Sequence, residues 1–157
     1  MRKRIIAVQQ DDLPGDEDWL DLENLAEIEL TSEDPLYPIE SALLAPEGAG
    51  WRAAEPGTQT IRLIFHEPRH IQRLRLAFAE FDADRTQEYV LRWAESPGLP
   101  CRDIVRQQWN FNPKGGANTE IENHHVELSG VTVLELMINP DINDKNAIAT
   151  LKQLRVA

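Results

Sequence analysis

Cysteine is nearly absent from this chain. Cys101 stands alone among 157 residues, so no intrachain disulfide can form, and the stapled architecture of many small secreted domains is excluded. Positive charge is scarce: 16 Lys and Arg against 27 Asp and Glu leave a net charge of −11. A field of that sign repels polyanions and argues against nonspecific binding to nucleic acid or to an anionic membrane surface. Long hydrophobic runs are missing as well. Near the start only residues 5–8 are continuously apolar, too few for a signal-peptide core or for a spanning helix of about 20 residues. There is no Asn-x-Ser/Thr acceptor. These absences set the expectation of a cytoplasmic chain, of bacterial type.

Catalytic and metal signatures are equally thin. Ser32, Ser41, Ser96 and Ser129 are the serines, and none sits in a Gly-x-Ser-x-Gly elbow. Lys114-Gly115-Gly116 lacks the strand-to-helix setting of a phosphate-cradling loop. Glu88 and Glu135 form a conceivable acid/base pair, but carboxylates are common on strand surfaces. His124 and His125 are adjacent; on a regular strand they point to opposite faces and cannot chelate one ion. No spacing of ligands suits zinc. The chain is therefore expected not to be an enzyme.

What is present is alternation. Apolar residues recur every second position over 60–65, 70–81, 86–93, 103–111, 123–128, 131–138 and 147–156, with Gly, Pro and Asn clusters between them. This predicts an all-β antiparallel sandwich of about eight strands, each hiding one face and wetting the other. Ile61, Leu63 and Phe65 share one face, as do Leu74, Leu76 and Phe78, then Gln87, Tyr89, Leu91 and Trp93, then Val105, Trp109 and Phe111. His124, Val126 and Leu128 fall together, and so do Leu134, Leu136 and Ile138. Ser129-Gly130 between two such patterns predicts a hairpin, Asn112 to Gly116 a wide turn, and Asn139-Pro140 a strand end.

The first part of the chain differs. Eleven Asp or Glu fall within residues 11–34. A short strand is predicted over 4–8, a short helix around Trp19, Leu22 and Leu25, and a strand over 26–31. Pro38 suits the start of a short helix, since a helix start does not need its N–H. The expected organisation is an acidic N-terminal extension over 1–30, packed on a sandwich domain over 31–157. Trp51, in a Gly/Pro/Ala-rich segment, either plugs the end of the core or stands exposed as a stacking platform.

In order, these elements resemble the discoidin, or coagulation-factor type C, family of galactose-binding-like jelly rolls. A loop with Ser32, Pro38 and Ala42 leads to Trp51. The strand Ile61-Arg62-Leu63-Ile64-Phe65 follows, then Pro68-Arg69-His70-Ile71-Gln72-Arg73-Leu74, and the chain closes on Leu151-Lys152-Gln153-Leu154. The likeness covers about residues 30–157, without the disulfide of the family's extracellular members. It implies a jelly roll that binds a ligand without transforming it: a carbohydrate, or a protein in the intracellular scaffolds of this fold. It also implies a possible structural calcium ion near the N-terminal loop, for which Glu33, Asp34 and Glu40 supply hard oxygen ligands. No other cofactor is expected.

The richest ligand chemistry lies in Arg106-Gln107-Gln108-Trp109-Asn110-Phe111-Asn112. Arg106, Gln108, Asn110 and Asn112 alternate and so project from one face. Arg85, Glu88 and Arg92 are placed on a neighbouring strand. Amides and guanidinium forks hydrogen-bond paired sugar hydroxyls, while an aromatic ring packs on the apolar face of the sugar. The competing reading is a polar outer face that pairs its own charges across strands. An aromatic standing free beside the amides favours sugar; a broad exposed apolar patch favours a protein partner.

Overall fold

The computed structural model describes residues 1–4, 18–44 and 48–157; most of the strand predicted over 4–8 lies outside them. Two short helical turns, α1 (Leu22–Leu25) and α2 (Glu40–Leu43), accompany eight strands. These are β1 (Ala26–Leu30), β2 (Trp51–Pro56), β3 (Gln59–Ala79), β4 (Arg85–Ala94), β5 (Arg102–Phe111), β6 (Thr119–Asn139), β7 (Ile148–Leu151) and β8 (Gln153–Val156). All observed pairings are antiparallel.

β3 and β6 are each 21 residues long and pair along most of their length. Each contributes to both layers of the sandwich. The register shifts between Ile64 and Arg73 mark bulges, which bend a strand pair and let it pass from one sheet to the other. Six strands are thus hydrogen-bonded continuously, in the order β1-β3-β6-β4-β5 with β8 added to β3. The bend divides them into a five-stranded layer (β1, the first half of β3, the second half of β6, β4, β5) and a three-stranded layer. The latter holds the first half of β6, the second half of β3 and β8. β2 and β7 form a separate pair.

The bend corrects the predicted hairpin at Ser129-Gly130. These residues lie inside β6, and Gly130 has φ +72°, a conformation glycine adopts without strain. A corner and a tight turn ask for the same residue types, so sequence alone reads one as the other. Pro68 likewise sits at the bend of β3, where the missing N–H breaks no regular ladder.

The predicted inward faces form the core. Ile61, Leu63, Leu74, Leu76, Phe78, Leu134, Leu136 and Ile138 are all buried. Phe78 of one layer stacks on Tyr89 of the other, with ring centroids 5.2 Å apart. Trp51 is buried at the start of β2, and its indole N–H donates to the carbonyl of Ser32 at 3.2 Å; it plugs the core and is no platform. The predicted helix around Trp19 is the single turn α1, and that after Pro38 is α2, preceded by Ile39 at its cap. β1 precedes the boundary drawn at residue 30 and is the edge strand of the five-stranded layer.

Direction along the strands defines two ends. At one end lie the loops 31–38, 80–84, 112–118 and 140–147; at the other lie the 95–101 loop and the corners of β3 and β6. The first end is called the loop end below.

Candidate functional site

β4 and β5 pair as the sequence reading placed them, with Glu88 opposite Gln108, Thr86 opposite Asn110 and Val90 opposite Arg106. Glu88, Arg106, Gln108 and Asn110 share the outer face of the five-stranded layer, and the first three are bonded to one another. Arg106 Nη1 donates to Glu88 Oε1, and Gln108 Nε2 donates to Glu88 Oε2 at 2.9 Å. Those bonds, that from Gln108 foremost and then those from Arg106, hold the Glu88 carboxyl below its ordinary pKa. Both Glu88 carboxylate oxygens are thereby occupied, each by one nitrogen of Arg106 or Gln108.

Arg92 stands farther along the same face, its Nε 2.9 Å from Asp103 Oδ1. The approach lacks hydrogen-bond alignment, so it is a charge contact and not a directed bond. Beside it the 95–101 loop roofs a cavity of about 550 Å³, lined by Arg62, Arg92, Cys101, Val133 and Glu135 among others. Of its polar groups, Arg62 and Glu135 are bonded to each other. Arg62 donates to Glu135 Oε2 through two nitrogens (3.1 and 2.8 Å) and reaches Glu29 at 3.6 Å. Burial raises the Cys101 thiol pKa, which makes it a poor nucleophile at neutral pH. Glu88 and Glu135 do not face each other: Glu88 pairs with Asn139, and Glu135 with Arg92.

Arg85 departs from the expected patch. Its side chain points inward and is 5% exposed. Nε donates to Glu80 at 2.8 Å, Nη1 to Gln87 at 3.0 Å and to the Pro140 carbonyl at 2.7 Å, and the guanidinium lies 4.6 Å from the centre of the Phe111 ring. It ties together the roots of the 80–84 and 140–147 loops and the end of β5. Arg85 therefore positions the loop end and makes no outward fork.

At the loop end the polar groups are open. Asn110 accepts from the Thr86 hydroxyl at 2.7 Å through Oδ1, and Asn112 accepts from the Gly115 N–H at 2.9 Å through Oδ1. Both amide NH₂ groups are left without a protein partner among the described residues. Asp141 Oδ1 accepts from its own loop, from the Asn143 N–H at 3.0 Å. It also lies 3.4 Å from the Thr86 N–H, while the Ile142 N–H donates to the Thr86 carbonyl at 2.9 Å. That anchoring leaves the side chains of Asn143 and Asp84 without partners among the described residues. Asp84, Thr86, Asn110, Asn112, Asp141 and Asn143 line one groove of about 380 Å³.

The loop end also carries an apolar surface. Phe81 is 65% exposed, and with Tyr37, Trp51 and Lys152 it borders a second cleft of about 210 Å³. Phe81 and Asp84 share one loop, and three residues span at most about 11 Å, so the backbone of that loop reaches both grooves. Of the seven large apolar residues exposed among the described ones, Leu36, Tyr37, Phe81 and Ile142 belong to this end. The sequence reading put Phe81 in a strand and passed over Asp84, Asp141 and Asn143. β3 in fact stops at Ala79, which turns Phe81 out of the strand and into the loop.

The three residues named for calcium do not gather. Glu33 accepts from the Ile39 N–H at 2.6 Å and Asp34 from the Leu36 N–H at 2.9 Å, both as loop caps, while Glu40 is exposed on α2. Among the described residues no three acidic, imidazole or thiol groups converge on a metal position. His124 and His125 face opposite ways, as parity requires: His124 Nε2 lies 2.8 Å from the Tyr89 hydroxyl inside, and His125 is exposed.

No family model matches the chain, and no curated protein matches it. Solved structures do match. The CBM32-3 module of a family 31 glycoside hydrolase from Clostridium perfringens is similar over 89% of this chain and 94% of its own, with TM-score 0.64 and 15% identity. A family 89 enzyme's CBM32-5 module from the same organism, in complex with GalNAc-β-1,3-galactose, covers 83% of this chain and 94% of its own at TM-score 0.58 and 17% identity. A family 29 fucosidase of Ruminococcus gnavus matches at TM-score 0.63 and 6% identity, and there the chain spans only 24% of the enzyme. At these identities the likeness is one of fold: the chain is an antiparallel jelly-roll sandwich of the kind found in family 32 carbohydrate-binding modules.

Proposed function

We propose that this chain is a non-catalytic carbohydrate-binding module whose site is the loop end. One observation carries the reading. Unpartnered amides and carboxylates (Asn110, Asn112, Asn143, Asp84) line one groove of the loop end, and an exposed aromatic, Phe81, on the same loop as Asp84, borders another. Sugars need both: paired hydrogen-bond donors and acceptors for hydroxyls, and a flat apolar surface for the C–H face. Similar modules carry galactose or 4,5-unsaturated mannuronic acid, and another is named for pectin binding, which supports the class of ligand and leaves the individual sugar open. The discoidin-like order of motifs supports the same reading.

The test is calorimetric titration of the protein with neutral mono- and disaccharides, galactose and N-acetylgalactosamine first. Saturable binding that Phe81→Ala weakens about tenfold and Arg106→Ala leaves intact supports the site. Absence of binding to any sugar tried, or equal loss in both variants, contradicts it.

A second reading is a protein-binding module using the same end. Leu36, 82% exposed, and Ile142, 45% exposed, favour it, because a sugar site of this size needs neither. Leu36→Asp leaves sugar affinity unchanged on the first reading and abolishes partner binding on the second.

A further inference from the structure

The outer face of the three-stranded layer sets two arginines side by side without a carboxylate, a trait that Arg52 and Arg69 share singly among the described residues. Arg62, Arg85, Arg92, Arg102 and Arg106 each stand within 4.0 Å of a carboxylate. The side chains of Arg73 and Arg75 on β3 have no carboxylate within 4.0 Å and no hydrogen-bond partner among the described residues, while the Arg73 backbone N–H donates to the Ala157 oxygen at 2.8 Å. Leu74 and Leu76 point into the core at 1% and 0% exposure, so Arg73 and Arg75 point outward together, two residues and roughly 6.6 Å apart. Arg73 is opposite His125, and Arg75 is opposite Asn123 on one side and Arg155 on the other. The Arg75 Nε is shielded from solvent with no hydrogen-bond partner.

Arg155 leans away toward α2, where it donates to the Ala42 carbonyl at 2.8 Å. Glu127, the acid of β6 that shares a groove with Arg73, is engaged by His70 at 3.0 Å and Gln72 at 3.4 Å. A groove of about 360 Å³ runs between Gln72, Arg73, His125, Val126 and Glu127.

Like charges directly across a sheet are unfavourable. In a chain of net charge −11 there are acids to spare for pairing, yet among the described residues none stands within 4.0 Å of the Arg73 or Arg75 side chain. At physiological salt the screening length is about 8 Å, so an ion close to this face responds to these cations and not to the net charge. We propose that the face is an oxyanion site, in which the guanidinium groups of Arg73 and Arg75 hold a carboxylate or sulfate group, with Asn123 and His125 at its rim. Planar forks match the paired oxygens of such groups. The site is separate from the loop end and does not rest on the carbohydrate reading.

The experiment follows the arginine Nε–Hε resonances of the whole chain by ¹H–¹⁵N NMR at constant ionic strength. Sodium sulfate is titrated in one series and digalacturonate in another. Arg73 and Arg75 are expected to shift saturably, while Arg62 and Arg106 stay still. Arg75→Ala is expected to weaken binding roughly tenfold without lowering Tm, because it removes a like-charge pair with Arg155; Arg75→Lys, which keeps the charge and loses the fork, falls between. Equal affinity for both probes supports a free oxyanion as ligand, and tighter digalacturonate binding supports an acidic sugar. Failure of both probes to saturate overturns the proposal. So does unchanged affinity in Arg75→Ala, or a matching shift of Arg62 and Arg106, which is the mark of bulk ions. Phe81→Ala is expected to leave oxyanion binding intact, so this site and the loop end stand or fall separately.

Discussion

The outer face of the five-stranded layer and the loop end are built from the same residue types and behave differently. On the face, Arg106 and Gln108 each spend one nitrogen on Glu88 across regular strands and fill both of its carboxylate oxygens. At the loop end, Asn112 and Asp141 spend one oxygen each on their own turns, and the remaining groups of Asn110, Asn112, Asn143 and Asp84 are open. A regular ladder brings side chains of neighbouring strands within about 5 Å of each other, so complementary groups there pair by default. Loops separate them, and groups without neighbours remain for a ligand. Amide richness in a strand is therefore a weaker sign of a site than amide richness where strands end.

Four predictions break or sharpen that contrast. The largest effect belongs to Arg85→Ala. It removes a buried cation with bonds to Glu80, Gln87 and Pro140 and leaves their acceptors unpaired. A loss of about 3 kcal/mol in stability is expected by chemical denaturation, with loss of sugar binding through a disordered loop end. Phe81→Ala comes next. About a tenfold loss of sugar affinity is expected by calorimetry, with Tm unchanged because the ring is largely exposed.

Asn112→Ala is expected to weaken sugar binding by roughly three- to tenfold, whereas Arg106→Ala leaves it unchanged. Stability in Arg106→Ala falls by less than about 1 kcal/mol, as for an exposed ion pair. Equal effects of the two would erase the distinction between face and end.

The fourth concerns the core. Glu120 lies between the layers at 2% exposure, with one carboxylate oxygen unpartnered. Burial first, and then the neighbouring Glu122 charge, push its pKa up to about 7. The folded state therefore holds a proton that the unfolded chain releases near the ordinary carboxylate pKa. Stability is fullest below that ordinary value and falls as pH rises to about 7. Glu120→Gln is expected to flatten this decline: Tm measured at pH 5 and pH 8 differs less in the variant than in the parent protein.

The fold was legible because alternation is a local signal. Ile61, Leu63, Leu74, Leu76 and Leu136 are inward in sequence and in structure. Topology was less so: Ser129-Gly130 serves a corner with the chemistry of a turn, and only pairing across more than 50 residues distinguishes them. Arg85 was half legible. Parity with Gln87, Tyr89 and Leu91 places it inward and separates it from Glu88, but nothing local announces the Pro140 carbonyl that receives it. Asp84, Asn112 and Asn143 lie far apart in the chain and come together only when the loops of one end are gathered, so no spacing rule could name them.

The most direct test is a sugar titration followed residue by residue in ¹H–¹⁵N spectra, with the saccharide that calorimetry ranks first. Binding at the loop end predicts shifts confined to residues 81–86, 110–112 and 141–143, with Glu88, Arg106 and Gln108 unmoved. Shifts centred on Glu88, Arg106 and Gln108 would contradict the account and return the site to the face of the sheet.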